Sequence, residues 1–389
     1  MNFFIADVQE GFGAFIAFYL ANLNWSQETV GLMLTIGRLA SGAALIPGGA
    51  LTDAVRWKRA LVAIGITMIA VAALMLALHP TYLFVILAEI LHGATAGIIT
   101  PAIAAISLGL VGRRAMSCRV GRNQRFDAAG NALTAGAMGV LGSAVGNSMI
   151  FLAAAGLTVP ALVALGFVRK DDIDYDRARN AGKDQEGRPT LQGLTVVFKN
   201  RQLLWFACSA VLFQLADASM LALAVEKIGH MNSGQSPLIT SGLIMAPQIV
   251  VALLAPWIGY FSELWGRKPI LLISFAVQIA RAILFGFVDN AILLIIVQML
   301  DGVSGAVRTI LTTVIVADLT TGTGRFNIAL GALGFVIAVG ASISTILFGV
   351  VAQEIGAWAA FLGMASLAAA GALVVWFLLN ETKPAQYID

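Results

Sequence analysis

Gly49-Ala-Leu-Thr-Asp-Ala-Val-Arg-Trp-Lys-Arg59 and Gly259-Tyr-Phe-Ser-Glu-Leu-Trp-Gly-Arg-Lys-Pro269 are two versions of one short polar loop, 210 positions apart. Each follows a long apolar block and precedes another. Each offers a glycine, an acid four residues on, and a basic cluster after it. In that register Lys58 falls on Lys268. The same offset relates Ala6-Asp7 to Ala216-Asp217, and an offset of 209 relates Glu89-Ile-Leu-His92-Gly93 to Gln298-Met-Leu-Asp301-Gly302. Three landmarks on nearly one register make the chain a tandem repeat. Such repeats in membrane proteins imply two similar bundles with a binding site between them near mid-membrane.

The blocks around these loops are membrane-like. Of 389 residues, 59% are hydrophobic and 12% charged, with a mean hydropathy of +0.88. Soluble domains carry roughly 25% charged residues. Leu61–Leu78, Ile270–Val288 and Ala357–Leu379 each reach or approach the roughly 20 apolar residues that carry a helix across hydrocarbon. A spanning segment must satisfy its own backbone, so these blocks are helices. Twelve spans are expected, at about 3–22, 29–51, 60–78, 82–111, 126–146, 148–168, 202–227, 237–260, 269–288, 291–318, 326–350 and 357–379. The polar stretch 169–200 divides them into an N-terminal bundle (1–168) and a C-terminal bundle with a short tail (201–389). Its mixed charge and few large apolar residues make it a linker unable to form a core. The 40 glycines suit close helix packing in lipid, with Gly136, Gly139, Gly142 and Gly146 on one face.

Charge placement orients the chain. Arg56, Lys58 and Arg59, then Arg113, Arg114, Arg119, Arg122 and Arg125, then the linker, Arg267 and Lys268, and Arg325 all fall on alternate connections. The other connections carry almost nothing basic except Lys227. This is the positive-inside pattern, and it puts both termini and the linker in the cytoplasm of a bacterial inner or plasma membrane. The basic excess, with a pI near 9.0, therefore meets anionic lipid and implies no nucleic-acid partner. Cys118 and Cys208 have no ligand spacing, so neither a disulfide framework nor a metal site is expected, and no cofactor is implied. No cleavable signal is expected, because the apolar start runs into acids. Only six residues precede Asp7, against about fifteen between Arg201 and Asp217, so Met1 is expected to be an internal methionine or a truncated start.

Both loops resemble the signature of the major facilitator family, Gly-x-Leu-Ala-Asp-Arg-x-Gly-Arg-Lys. The second copy keeps acid, turn glycine and basic pair. The first keeps Gly49, Leu51, Asp53 and Lys58, but has Arg56 at the glycine and Trp57 at an arginine. The resemblance covers essentially the whole chain. It implies an all-α fold of two pseudo-symmetric six-helix bundles and a monomeric secondary transporter. It also implies that the first, fourth, seventh and tenth spans line the cavity. Gly49, Asp53, Lys58, Gly259, Glu263, Gly266, Arg267 and Lys268 are then gate elements, or plain anchors of the loop. Two departures stand out. Glu89, four residues before Gly93, occupies a position where the family's fourth span often carries arginine, and the fifth span lacks proline.

Charges inside spans cost at least a few kcal/mol and mark function by default. Asp7, Glu10, Glu89, His92, Asp217, Asp301 and Arg308 all fall on the implied cavity spans, and Arg38 and Arg281 fall elsewhere. Glu89 and His92 share a helix face, as do Asp7 and Glu10. Such carboxylates, in low dielectric, suit proton binding and release, with Glu89/His92 the leading pair. Arg308 is expected either to hold an anionic group of a small-molecule substrate or to neutralise Asp301. Arg38 is a further substrate-binding candidate, although structural pairing suits it too. Arg281 is expected to pair structurally. Asp127 is expected to cap the start of the fifth span; the alternative is that Arg125 and Asp127 meet the acids of the two loops across the halves. Gly121-Arg122 echoes Gly324-Arg325. No phosphate-binding loop is present, which disfavours ATP-driven transport. Proton-coupled export of a small organic solute is the expected activity. Proton-coupled uptake, or a sensor or enzyme on the same scaffold, is the alternative.

Overall fold

The computed structural model describes residues 1–5, 16, 19–20, 23–144, 148–181, 199–231 and 236–383. Asp7, Glu10 and Gly146 lie outside these residues, as do most of the first expected span and the linker from 182 to 198.

Among the described residues the chain is helical. In order come α1 (Gln27–Ala54), α2 (Lys58–Leu78), α3 (Tyr82–Val111), α4 (Met116–Ala144), α5 (Ser148–Gly166), the single turn α6 (Tyr175–Ala178), α7 (Arg201–Asp217), α8 (Met220–Met231), α9 (Ser236–Trp265), α10 (Arg267–Phe287), α11 (Ala291–Leu319), α12 (Phe326–Glu354) and α13 (Ala357–Leu378). Ten segments among the described residues are long and apolar enough to cross a membrane. They include the combined α7–α8 stretch, which is broken at Ala218-Ser219. Prolines sit inside α1, α3, α5 and α9. Membrane helices tolerate them because neighbours re-satisfy freed backbone groups. The break after Asp217 works likewise: Ser344 on α12 bonds Ser219 at 2.9 Å and donates to the Leu215 carbonyl at 2.7 Å.

The repeat is visible in the packing. In the first half α1 packs on α3, α2 on α3, and α2 on α5; in the second, α9 packs on α11, α10 on α11, and α10 on α13. These are the same pairs one repeat later. Contacts divide the chain into two compact units. One is Met1–Gly112, Phe126–Leu194 and Thr320–Phe335; the other is Arg113–Arg125, Thr195–Leu319 and Val336–Asp389. Each unit takes most of its residues from one chain half and a short segment from the other.

Two local expectations change. The helix carrying the fifth span starts at Met116, ten residues before the apolar run, so Asp127 sits inside α4 and does not cap it. The helix continues through the basic residues because no proline interrupts 116–126 and Gly121 costs only about 1 kcal/mol. The start of the linker is folded: Ile173 and Ala178 are buried, and Asp174 caps α6 through the N–H groups of Asp176 and Arg177 at 3.1 and 2.9 Å. Lys227 reaches the end of α10. It donates to the carbonyls of Phe285 and Val288 at 3.0 and 2.8 Å and pairs with Asp289 at 2.8 Å. A cation there satisfies carbonyls that the helix itself leaves open.

Candidate functional site

In the first unit Asp53 stands at the last turn of α1 and caps α12. Its Oδ2 accepts from the Ile328 N–H at 2.8 Å. Its Oδ1 accepts from the Asn327 N–H at 3.2 Å and from Asn327 Nδ2 at 2.7 Å. The first N–H groups of a helix have no partner within it and carry partial positive charge, so a carboxylate fits there. Gly49 lets the two helices come this close: a Cβ on it would press on the Asn327 carbonyl and lie 3.0 Å from the Ile328 Cα. The Asn327 amide also donates to the Ala178 carbonyl at 3.3 Å, which ties the folded start of the linker to the same point. Lys58 is fully buried and donates to the carbonyls of Thr52 at 2.5 Å and Val55 at 3.2 Å.

In the second unit Gly259 does the work of Gly49. A Cβ there would lie 2.5 Å from the Ser117 carbonyl and 3.3 Å from the Cys118 Cα. Ser117 is 210 positions before Asn327, so one contact maps onto the other when the halves are exchanged. The glycines one turn further on follow suit: Gly331 meets Leu45, and Gly121 meets Ala255. The true counterpart of Gly121 is therefore Gly331, and the echo with Gly324 is out of register by seven residues. Glu263 differs from Asp53. It pairs with Arg267 on its own chain segment at 3.2 Å. Arg267 is buried and donates to the Ser262 carbonyl at 2.6 Å, and its Nε pairs with Asp318 at 3.3 Å.

These geometries correct the register of the motif. Helix α2 begins at Lys58 and α10 begins at Arg267, 209 positions apart. Lys58 donates to Thr52, and Arg267 donates to Ser262, the residue 210 positions on. Lys58 is thus the structural partner of Arg267, not of Lys268. The first loop is one residue longer than the second, and this accounts for the change of offset from 210 to 209. Gly266, at φ +99°, makes the tighter turn, a backbone conformation that side chains with a Cβ rarely adopt. Lys268 uses its Nζ on the Trp376 carbonyl at 2.8 Å.

Sequence reasoning missed Glu381. Its carboxylate takes the N–H groups of Arg267 and Lys268 at 2.8 and 3.1 Å, capping α10 from beyond the last helix. Asn327 and Asp318 were missed as well. No spacing rule joins residues so far apart, though an acid after the last apolar block could have suggested a cap.

The charged residues of the second unit converge. Arg281 of α10 is buried and bridges two acids. Its Nη2 donates to Asp217 Oδ1 at 2.6 Å, and its Nη1 donates to Asp301 Oδ1. The Met220 sulfur lies 3.0 Å from Nη2, and Gln298 donates to Asp301 Oδ2 at 3.3 Å. Asp217 stands at the break between α7 and α8, and Asp301 on α11. One guanidinium thus joins three membrane helices. The expectation that Arg281 pairs is met, but its partners are two of the expected proton-binding acids. Arg308, two turns from Asp301 on α11, forms no ion pair with it. The Arg308 guanidinium lies 5.9 Å from the Phe213 ring centroid, and its Nε is buried with no hydrogen-bond partner among the described residues.

In the first unit Glu89 is 4% exposed. Its Oε2 lies where a side chain on Gly37 of α1 would be, and its Oε1 has no hydrogen-bond partner among the described residues. His92, one turn on, is half-buried, and its carbonyl takes the Thr95 hydroxyl at 2.6 Å. Arg38 follows Gly37 and is exposed. No group of three or more His, Cys, Asp or Glu side chains capable of holding a metal occurs among the described residues.

Comparison with known proteins agrees with this arrangement. A family model for the Major Facilitator Superfamily matches residues 1–247 and again 208–388. The chain is 36% identical over 386 residues to an uncharacterized MFS-type transporter of Mycobacterium tuberculosis, covering 98% of this chain and 92% of that one. It is 32% identical over 135 residues to the class B tetracycline resistance protein of Escherichia coli, covering 35% and 33% of the two chains. Among solved structures, the E. coli fucose:proton symporter FucP superposes with a TM-score of 0.77, covering 96% of each chain at 13% identity. FucP in its outward conformation gives 0.76, covering 97% of this chain and 96% of that one at 14% identity. The fold and the paired loops are thus those of a multi-pass integral membrane transporter, and the chain belongs to the major facilitator superfamily.

Proposed function

We propose that this protein is a secondary active transporter, moving a small organic solute by alternating access in two six-helix bundles and coupled to protons. The observation that carries the reading is the Arg281 bridge to Asp217 and Asp301 beside a broken membrane helix. Ionisable groups are costly within a membrane and are retained there for pathways and relays. A half-broken helix is the kind of element that forms transport sites. Glu89, buried with one oxygen lacking a partner, is the second proton candidate. The names of two similar proteins, a fucose:proton symporter and a tetracycline resistance protein, fit a small organic cargo. In this reading the Asp53 cap on α12 and the Arg267 pairings are gate contacts that hold one conformation and open in another. The basic loops support a cytoplasmic placement of both termini in a bacterial inner membrane, and a monomer suffices.

Purified protein in proteoliposomes, under an imposed pH gradient, tests the reading. Solute accumulation or depletion that collapses with a protonophore is expected, together with a weakened pH dependence in Glu89→Gln. Flux indifferent to the gradient sinks proton coupling, and unchanged pH dependence in Glu89→Gln removes Glu89 from it.

A further inference from the structure

The second unit holds two acids and two arginines in one cluster, but pairs them unequally. Arg281 takes both carboxylates. Arg308, the other cation, is left with the face of Phe213 and an Nε that has no hydrogen-bond partner among the described residues. Buried N–H groups are almost always paired with protein, water or ligand. A guanidinium backed by an aromatic ring keeps its planar edge of donors for a carboxylate or phosphate, which it binds in bidentate fashion. We infer that Arg308 is the anchor for an anionic group on the transported solute, and that this anion binds together with a proton taken by the Asp217–Asp301 pair. The inference rests on the transporter reading above and adds the substrate class and the sense of coupling.

The coupling follows from charge. The groups acting on Asp301 are Arg281 from α10, Asp217 from α7, and Arg308 from α11 itself. Lys227 on α8 is engaged at the end of α10, and Glu226 beside it is exposed. With both acids ionised the four charges balance. An anion on Arg308 cancels positive charge that favours ionised Asp301. A proton on the acid pair in turn leaves a surplus of positive charge that favours the anion. Each ligand strengthens the other by the same factor, because linkage is reciprocal. With both bound the cluster is again neutral. Co-binding of this sort drives solute and proton in the same direction. It therefore favours the uptake reading over exchange.

The test uses full-length protein in detergent and a panel of small carboxylates, sulfonates and phosphate monoesters, each set beside a neutral ester or amide analogue. Thermal stabilisation is expected from at least one anion and not from its neutral analogue. In unbuffered solution that anion should draw protons onto the wild-type protein, read as a rise in bulk pH. This needs no variant. Arg308→Gln should weaken binding by about 10- to 100-fold, the loss of one charge-assisted contact, whereas Arg308→Lys should keep part of it. Asp301→Asn should bind the anion with a smaller proton uptake. Proton release on binding, stabilisation by neutral or cationic compounds alone, or a panel without any anionic binder would overturn the inference. Proton-driven flux of a neutral solute would overturn it and leave the transporter reading standing. Anion binding without gradient-driven flux would do the reverse.

Discussion

Lys58 and Arg267 occupy the same place in their respective loops: each is buried at the first residue of a helix and donates to the carbonyl of the residue just before the motif's acid, Thr52 and Ser262. Lysine reaches one further carbonyl, of Val55, whereas arginine has donors to spare and also engages Glu263 and Asp318. The two cations are therefore not interchangeable. Arg267→Lys should leave Asp318 and part of Glu263 unpaired and cost about 1–3 kcal/mol. Lys58→Arg must fit a larger head into a site built for an ammonium and should lower the melting temperature less. Thermal unfolding in detergent distinguishes them, and the reverse order would show that the loops are not equivalent.

Asp53→Ala removes the acceptor for two helix N–H groups and one amide. A lost cap costs about 0.5–2 kcal/mol, and buried unpaired donors add to it. Asp53→Asn keeps one oxygen and should fall between. Proteolysis near residues 320–328 should speed up in the alanine variant, and equal rates in all three proteins would deny the cap a role.

Gly259→Val should express but fail to transport, because its side chain would meet the Ser117 backbone. Gly305, with open space around its Cβ position, should accept alanine with little change. The two variants compared for surface expression and solute flux decide whether close approach, and not glycine as such, matters.

Arg281→Met strands two half-buried carboxylates and should cost up to about 3–5 kcal/mol, the range for a broken buried pair. The triple change Arg281→Met, Asp217→Asn, Asp301→Asn should recover much of the stability while losing proton coupling. A triple variant as unstable as the single one would mean that the arginine packs rather than pairs.

Cys118 lies outside the membrane-spanning segments. Burial, and then the Glu263 carboxylate, push its thiol up from the ordinary value. The thiolate is the reactive form, so alkylation at pH 7 should be slow and should keep rising with pH beyond about 8.5. Glu263→Gln removes one of the two raising influences and should shift that curve to lower pH. A plateau at neutral pH in the wild type would contradict this.

The sequence by itself determined the membrane class, the repeat and the two loops. Each of these rests on local quantities: apolar run length, charge per connection, and spacing along a single helix. It also marked Asp217, Asp301, Glu89 and Arg281 as unusual, because a charge in a span is unusual whatever surrounds it. Tertiary structure decided the partners. That Arg281 and not Arg308 takes Asp301, that Lys58 answers to Arg267, and that Glu381 caps α10 depend on which helices become neighbours and on a single extra residue in one loop. Periodicity reports the face on which a side chain sits. Only packing brings a second face to meet it.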